Sequence, residues 1–357
     1  MYQTGDKFKV TVFGQSHSAE IGATIEGLPA GFCPDMEKVY AFMERRAPGR
    51  DRFSTQRKEA DLPEIVSGLV DGVTCGSPLT AVIKNKDQKS TDYENLKLVP
   101  RPGHADYTAY MKYEGNNDIR GGGQFSGRMT APLCFAGALA LQILEEKCIH
   151  IGCHIEAIHN VKDERFSPTD VNKETLDSVK EKDFPVINDF VRIKMEAEID
   201  RARESGDSVG GVIECAVVGL PVGIGGPLFG GIEGEMSRNI FAVPAIKGIE
   251  FGAGFSSGGM YGSENNDEFY FDGDIVKTRT NNAGGILGGI SSGMPLVFRV
   301  AVKPTPSISK EQNSVNLKTK EREKLIIKGR HDPCIVKRAV PVIEAVAAIT
   351  ILNMLES

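Results

Sequence analysis

The sequence predicts a single large α+β body spanning residues 1–357. Forty of the 357 residues are glycine, which calls for many tight turns rather than long uninterrupted elements. Short runs such as Phe8–Phe13, Val212–Leu220 and Pro295–Val302 have the alternation of half-buried strands. Long helical patterns are few, and Ala131–Leu144, rich in Ala and Leu, is the clearest; it reads as a buried helix. Length alone would suggest about two domains, but the glycine-rich, short-element pattern favours one.

Composition excludes several classes. A chain that is 40% hydrophobic and 25% charged has an ordinary globular make-up. A net charge of -6 argues against general nucleic-acid binding, though not against a locally basic site. No run is expected to approach the ~20 apolar residues that span a bilayer. Met1–Val10, charged at Asp6, Lys7 and Lys9, lacks the apolar segment of a secretory signal. Seven cysteines, an odd number mostly in apolar company (Cys134, Cys215), read as reduced, buried thiols of a cytoplasmic protein. Cys148, His150, Cys153 and His154 lack a CxxC pair and a second ligand pair downstream, so no metal site is expected there.

In chain order, Phe8–Phe13 ends in Gly14-Gln15-Ser16-His17-Ser18. A histidine in a polar turn at a strand end suits acid–base work, although a plain surface turn is the commoner setting. Ile21–Leu28 resumes a strand. Pro34–Arg46 reads as a helix with Asp35 near its start and Arg45 and Arg46 in its last turn, where cations favour the dipole. From Arg45 to Lys58 six cations, Arg52 among them, share one loop with only Asp51 to offset them. Crowded guanidiniums repel unless an anion intervenes, so this reads as a loop for a multiply anionic small molecule rather than a solvated charge run. Leu62–Val70 and Pro78–Lys84 are strand-like, and Lys84–Lys97 is a polar surface loop. Val99-Pro-Arg101-Pro-Gly-His104 holds an arginine and a second histidine on a stiff backbone, and Ala105–Tyr113 looks helical.

Arg120-Gly-Gly-Gly-Gln124-Phe125-Ser126-Gly-Arg128-Met-Thr130 is the most telling stretch. Three consecutive glycines let the backbone take positive φ or approach a ligand closely. The helix that follows carries Pro132 in its first turn. Amides, the positive dipole end and Arg128 then converge on one point, which suits an anion. A flexible turn before a core helix is the plainer account of the loop taken alone.

Beyond it, Cys148–Asn160 is a strand, Asp163–Asp183 a polar helix and loop region, and Pro185–Arg203 and Ile232–Phe241 are helices. Ala242–Gly252 is strand-like. Gly223-Ile-Gly-Gly-Pro-Leu is rejected as a dinucleotide motif, because Leu228 takes the third glycine position and Pro227 interrupts the helix. Gly252–Asp274, rich in Gly, Ser, Asn and Asp, reads as a mobile surface loop. Segments near 45–58, 85–98 and 308–328 read as mobile too. The amides of Thr280–Gly293 could line a flat ligand, with close strand packing as the plainer account. Lys303-Pro304-Thr305-Pro306-Ser307 sets one cation and two hydroxyls on a rigid turn, a phosphate grip that would be weak alone. Asp332, flanked by Arg330 and His331 and followed by Pro333, is positioned to cap the last helix, about Lys337–Leu355. Its second possible role is proton acceptor.

Together, Gly14-Gln-Ser16-His17, Arg46…Arg52, Arg101-Pro-Gly-His104-Ala-Asp106, Gly121–Thr130, Gly206-Asp-Ser-Val-Gly-Gly211, Lys303-Pro-Thr305 and Gly329-Arg330-His-Asp332-Pro closely resemble the chorismate synthase family, in order and over nearly the whole chain. The resemblance implies helices packed between antiparallel sheets and a homotetramer. It implies a 1,4-anti elimination of phosphate from 5-enolpyruvylshikimate 3-phosphate, giving chorismate, with reduced FMN required and no net redox change. His17 would then protonate the departing phosphate, His104 would serve the reduced flavin as proton partner, and Asp332 would help take up the ring proton. Ser16, Arg46, Arg52, Arg101, Arg128 and Arg330 would hold substrate. Gln124, Phe125, Ser126, Pro244, Ala245, Gly288, Lys303 to Ser307 and Arg330 would hold FMN. The flavin would be reduced by an outside donor, with NADPH as the other electron source. Gln124, Phe125, Gly127 and Met129 depart from the family's usual Arg-Ser-Ser-Ala-Arg-Glu-Thr, Gln15 and Ser18 from Glu or Asp and Gly, and Pro244 from Asn. A non-catalytic flavin- or anion-binding protein is the alternative; it leaves two histidines and an aspartate in separate stiff loops unexplained. A phosphatase or phosphotransferase would want a metal-binding carboxylate cluster, which the sequence lacks.

Overall fold

Two five-stranded antiparallel sheets hold a layer of helices between them. The structure, a computed structural model, describes residues 2–49, 61–85, 96–327 and 332–356. The first sheet runs Gln3–Thr4, Lys9–Gly14, Glu20–Glu26, Leu79–Lys84, Glu64–Ser67. The second runs Ile246–Phe251, Leu296–Val302, Gly211–Val218, His150–Ile158, Val161–Lys162. The described helices are α1 (Met36–Arg46), α2 (Asp106–Lys112), α3 (Thr130–Glu146), α4 (Lys173–Lys180), α5 (Asp189–Glu204), α6 (Ile232–Ile240), α7 (Gly262–Asn265) and α8 (Val336–Leu355).

The middle layer is α3 and α8, with α1 beside them; α3 meets the first sheet and α8 the second. Both are apolar nearly all round, which is what burial on every side requires. By length and composition Gly127–Glu146 and Val336–Leu355 could each cross a membrane, which corrects the expectation that no such run exists. Their apolar windows are 78% buried inside the protein, so the surface they shed from water is core, not lipid face. The two helices touch most closely at Gly137, where any Cβ would fall on Ala345. A buried ion pair crosses the same layer. Arg45 donates to both oxygens of the fully buried Glu344, at 2.6 and 3.0 Å, and Glu344 also accepts from the Cys153 amide. Arg45 therefore fixes α1 to α8 instead of joining an anion-binding loop.

Local rules explain most element ends. Asp35 caps α1 by accepting from the amides of Glu37 and Lys38. Asn188 caps α5, so that helix starts after Pro185–Ile187 rather than at Pro185. Two glycine- or charge-rich segments that read as loops hold hairpins, Phe269–Asp272 with Ile275–Thr278 and Gln312–Val315 with Arg322–Leu325. In the first, Gly273 at φ +62° with Asp274 makes the two-residue turn, so its composition marks a hairpin tip. The seven cysteines are all free; four are buried, whereas Cys33, Cys75 and Cys148 are exposed, against the expectation of buried thiols. Cys153 and His154 point to opposite faces of their strand. His154 is enclosed by Glu214 at 2.8 Å, Asp163 at 3.6 Å and the edge of Phe166.

Gly137→Ala forces a methyl into Ala345 backbone and cannot relax through a flexible side chain. It is expected to cost about 1–3 kcal/mol, read as a lower urea midpoint; an unchanged midpoint would mean α3 and α8 can separate freely.

Candidate active site

Three loops meet above the N-terminal end of α3. The first is a hairpin tip. Strands Lys9–Gly14 and Glu20–Glu26 pair down to Gly14↔Ile21, which leaves Ser16 and His17 in the turn. Ser18 closes that turn: its hydroxyl accepts from the Gln15 amide and stands 2.6 Å from the Glu20 carbonyl. Asn85, at the end of Leu79–Lys84, donates to the Ser18 carbonyl and accepts from Arg128 Nε at 2.9 Å. It links the histidine turn to an arginine of the glycine loop. Both Ser16 and His17 are buried.

The second loop is Gly121–Gly123, all three at positive φ. The Ser16 amide donates to the Gly123 carbonyl. A Cβ at Gly121 would fall on the His17 ring and the Ser16 hydroxyl, and one at Gly122 would lie 3.2 Å from His104 Nε2. The glycines are therefore the surface against which both histidine loops pack. Ser126 then accepts from the Arg128 amide and starts the turn leading into α3, and the Thr130 hydroxyl donates to the Gly127 carbonyl.

The third loop is Arg101–Asp106. Asp106 takes Arg101 Nε at 2.7 Å, Arg101 Nη2 at 2.8 Å and the Arg101 amide at 3.0 Å. His104 Nδ1 stands 2.6 Å from the same carboxylate. Arg101 Nη1 reaches on to the Ser307 hydroxyl at 3.1 Å, joining this loop to the Lys303–Ser307 turn.

The second and third loops line a cleft of about 580 Å³; Ser16 and His17 pack against Gly121 and are not among the residues lining it. Its lining includes Arg46, Arg101, His104, Gln124–Arg128 and Thr130, together with Phe241–Lys247, Lys303, Thr305–Ser307, Asp332 and Arg338, whose Nε donates to the Arg46 carbonyl. The start of Ile246–Phe251 and the end of Leu296–Val302 are paired, Ile246↔Val302. Ala245 holds φ +74°, an unusual backbone for a residue with a side chain, beside that junction. Of the residues singled out in the sequence, Arg52 and Arg330 lie outside the described residues. Gly288 sits in the Ile286–Leu287/Ile290–Ser291 hairpin and is not among those lining the cleft, and Pro304 is on the turn but not on the wall. Asp332 does not cap α8, whose start has no side-chain cap; its carboxylate takes Arg338 Nη1 at 2.6 Å instead, since a guanidinium offers more than a backbone amide.

Residue by residue, then, the sequence motifs come together. The chain also aligns with known proteins over its length. The family model for chorismate synthase matches residues 8–355. The chorismate synthase of Lancefieldella parvula is 45% identical over 99% of this chain and 96% of its own length. That of Methanocaldococcus jannaschii is 44% identical over 98% and 95%. A crystal structure of chorismate synthase superposes with a TM-score of 0.77 at 27% identity, over 99% of this chain and 92% of the other. The chain belongs to the chorismate synthase family. It is by that membership a carbon–oxygen lyase, and the non-catalytic alternative finds no support among these relatives.

Within a chorismate synthase frame, several functional residues were missed in the sequence. Asp61 is the most important: it is buried, and its two oxygens take Nη1 of Arg46 and Nη1 of Arg128. Arg46 also donates to Thr130 Oγ1 and the Gly127 carbonyl. Lys247 and Arg338 are two further cations on the wall. Among the described residues, six cations on the lining (Arg46, Arg101, Arg128, Arg338, Lys247, Lys303) are set against three carboxylates on or paired to it (Asp61, Asp106, Asp332), an excess of three positive charges with histidines neutral. Burial acts to raise the Asp61 carboxyl, but Arg46 and Arg128 outweigh it and hold it below its usual value. Asp106 follows the same pattern with Arg101 and His104. Burial, together with the charge of Lys247, lowers Lys303.

Both aspartates have folded values below the unfolded ~3.9, so their stabilisation is present above that pH and is lost as pH falls through the folded values. Stability is expected to fall steeply with acid below about pH 4. Asp61→Asn should lower stability at pH 7 and flatten the acid slope; an unchanged slope in urea titrations would mean Asp61 is not ionised between the arginines.

Proposed function

We propose that the cleft binds 5-enolpyruvylshikimate 3-phosphate and eliminates its phosphate with a ring proton, in the 1,4-anti sense, to give chorismate on reduced FMN. One observation carries this reading: two histidine loops packed on neighbouring residues of one glycine run, beside a cleft whose described charged groups leave an excess of three positive charges. A substrate with a phosphate and two carboxylates matches that charge. Arg46 and Arg128, with Ser16 and His17 beside them, form the substrate end, to which Arg52 and Arg330 are assigned by motif. Arg101, occupied by Asp106 and Ser307, acts there chiefly by its position.

FMN fits the other end. Thr305 Oγ1 is buried and has no hydrogen-bond partner among the described residues, and it stands on the turn of Lys303 next to Lys247, a donor set suited to a phosphate. Pro244, Ala245, Gln124, Phe125 and Ser126 offer a wall of backbone and apolar surface for the ring. When bound, reduced flavin supplies electron density that eases C–O cleavage and is recovered unchanged. The chain's own residues do the rest. His17, held at the hairpin tip, donates a proton to the departing phosphate, whose growing charge the guanidiniums stabilise. His104 keeps a proton-exchanging nitrogen on the cleft, and Asp332, also on its lining, serves as proton acceptor. The flavin arrives reduced by an outside donor, so the pure protein with FMN should not oxidise NADPH.

The proposal includes a homotetramer in the cytoplasm. Leu228, Phe229 and Phe255 are each at least 88% exposed, the kind of apolar surface a subunit contact covers.

His17→Ala and His104→Ala are each expected to keep FMN binding and lose about 10²-fold or more in turnover under anaerobic, dithionite-reduced conditions. Loss of folding in both, without a selective loss of activity, would make them structural. No chorismate from the wild-type protein under those conditions would refute the enzyme reading. Arg128→Ala should weaken substrate binding more than FMN binding; equal substrate affinity by titration would remove Arg128 from the clamp.

A further inference from the structure

The Arg101–Asp106 loop contains more than a histidine on a stiff turn. Asp106 is 5% exposed at its side chain and cannot turn, because three Arg101 donors and His104 share its two oxygens. A lone pair 2.6 Å from a carboxylate oxygen would be repelled, so Nδ1 of His104 must carry its proton and donate it. Arg101 Nη2 lies 3.1 Å from the same Nδ1. With Nδ1 protonated, that approach is a neighbour contact, and Nη2 is already spent on Asp106 at 2.8 Å. The opposite nitrogen, Nε2, faces Gly122. It has no hydrogen-bond partner among the described residues, and the Gly122 amide is turned away to the Ile119 carbonyl.

The geometry points to Asp106 as a positioning residue: it locks the neutral His104 ring as the Nδ1–H tautomer and so presents a bare Nε2 lone pair to the cleft. Arg101 shares that carboxylate, and Lys303 Nζ is bonded to the Gly103 carbonyl. The arrangement fixes which nitrogen of the neutral ring carries the lone pair. The Arg101–Ser307 bond ties the same cluster to the Lys303–Ser307 turn.

This inference rests on the proposed role of His104, and its test is separable from that role. The protein is labelled with 15N-histidine, and the His104 resonances are identified by their loss in His104→Gln. At neutral pH the wild-type spectrum is expected to show a protonated Nδ1 and an unprotonated Nε2. Asp106→Asn is expected to move the proton to Nε2, since the amide nitrogen then faces Nδ1, while the oxygen keeps Arg101 Nε and the Arg101 amide and the bond from Nη2 is lost. Turnover should fall about 10²-fold with KM for substrate changed less than about threefold. A wild-type ring protonated on Nε2 overturns the inference, whether or not Asp106→Asn folds. An unchanged tautomer in a folded Asp106→Asn overturns it as well. If the tautomer behaves as stated while His104→Ala retains turnover, the lock stands and the catalytic role of His104 falls.

Discussion

The absence of side chains at Gly121 and Gly122 is the constraint on which the site depends. Two loops from distant parts of the chain, one at the tip of a hairpin in the first sheet and one ahead of α2, need to bring an imidazole each to the same place. Only a backbone without Cβ lets both rings lie against it, and only positive φ lets that backbone turn sharply enough to feed α3 directly afterwards. The run was first legible as an anion cradle at a helix start. Part of its backbone holds the loops together instead: the Gly123 carbonyl takes the Ser16 amide, and the Gly122 amide goes to the Ile119 carbonyl. The glycines act by what they leave out rather than by what they bind.

A cleft with this much positive charge would spread its own arginines apart if they were left to repel one another. Asp61 prevents that by taking one nitrogen of Arg46 and one of Arg128, and Asp106 does the same for Arg101. Each carboxylate is buried, so each pair interacts strongly and is costly to break. The clusters still leave positive charge in excess, because one aspartate serves two arginines and no carboxylate pairs with Lys303 or Lys247 among the described residues. Preorganisation and affinity for an anion come from the same inequality. The donors are fixed before the substrate arrives, which is the condition for stabilising charge that grows during the reaction.

What was readable in the sequence is what is local. His17, Arg101, His104, Ser126, Arg128 and the Lys303–Ser307 turn each lie within a short run whose glycines and prolines announce an unusual backbone. Asp61, Asn85, Lys247 and Arg338 lie in runs that announce nothing: two close to strand ends, one within a strand, one in a helix. Tertiary contact alone makes them matter. The arginine-rich loop was weighed against Asp51, inside the same run, while the carboxylate that binds Arg46 lies beyond the run at Asp61. Asp332 failed as a cap for a related reason, since a capping rule counts backbone neighbours and the side chain of Arg338, the third residue of α8, competed successfully. The fold class was easier, because alternation and two apolar helices survive any choice of loop contacts. The glycine-rich 252–274 segment misled because a hairpin with a tight turn has the composition of a loop.

The departures from the family pattern in the glycine loop follow from where its side chains go. Ser126, Arg128 and Thr130 are retained, and all three make bonds that hold the loop itself: Ser126 to the Arg128 amide, Arg128 to Asp61 and Asn85, Thr130 to Gly127 and Arg46. Gln124 and Phe125 are changed, and neither has such a duty. Gln124 accepts from the Tyr2 hydroxyl, outside the loop, and Phe125 is partly exposed on the cleft wall. The side chains that close the turn are thus retained while Gln124 and Phe125 face outward; the buried Met129 is a departure that nothing in the structure explains. Ser18 shows the converse, a departure that adds a bond, because its hydroxyl closes the His17 turn onto Gln15 and Glu20 where a glycine would leave those groups to water. The backbone path past the two histidines is therefore held by Ser126, Arg128 and Thr130, which the family pattern shares, with Ser18 as an added closure, along a course set by Gly121–Gly123.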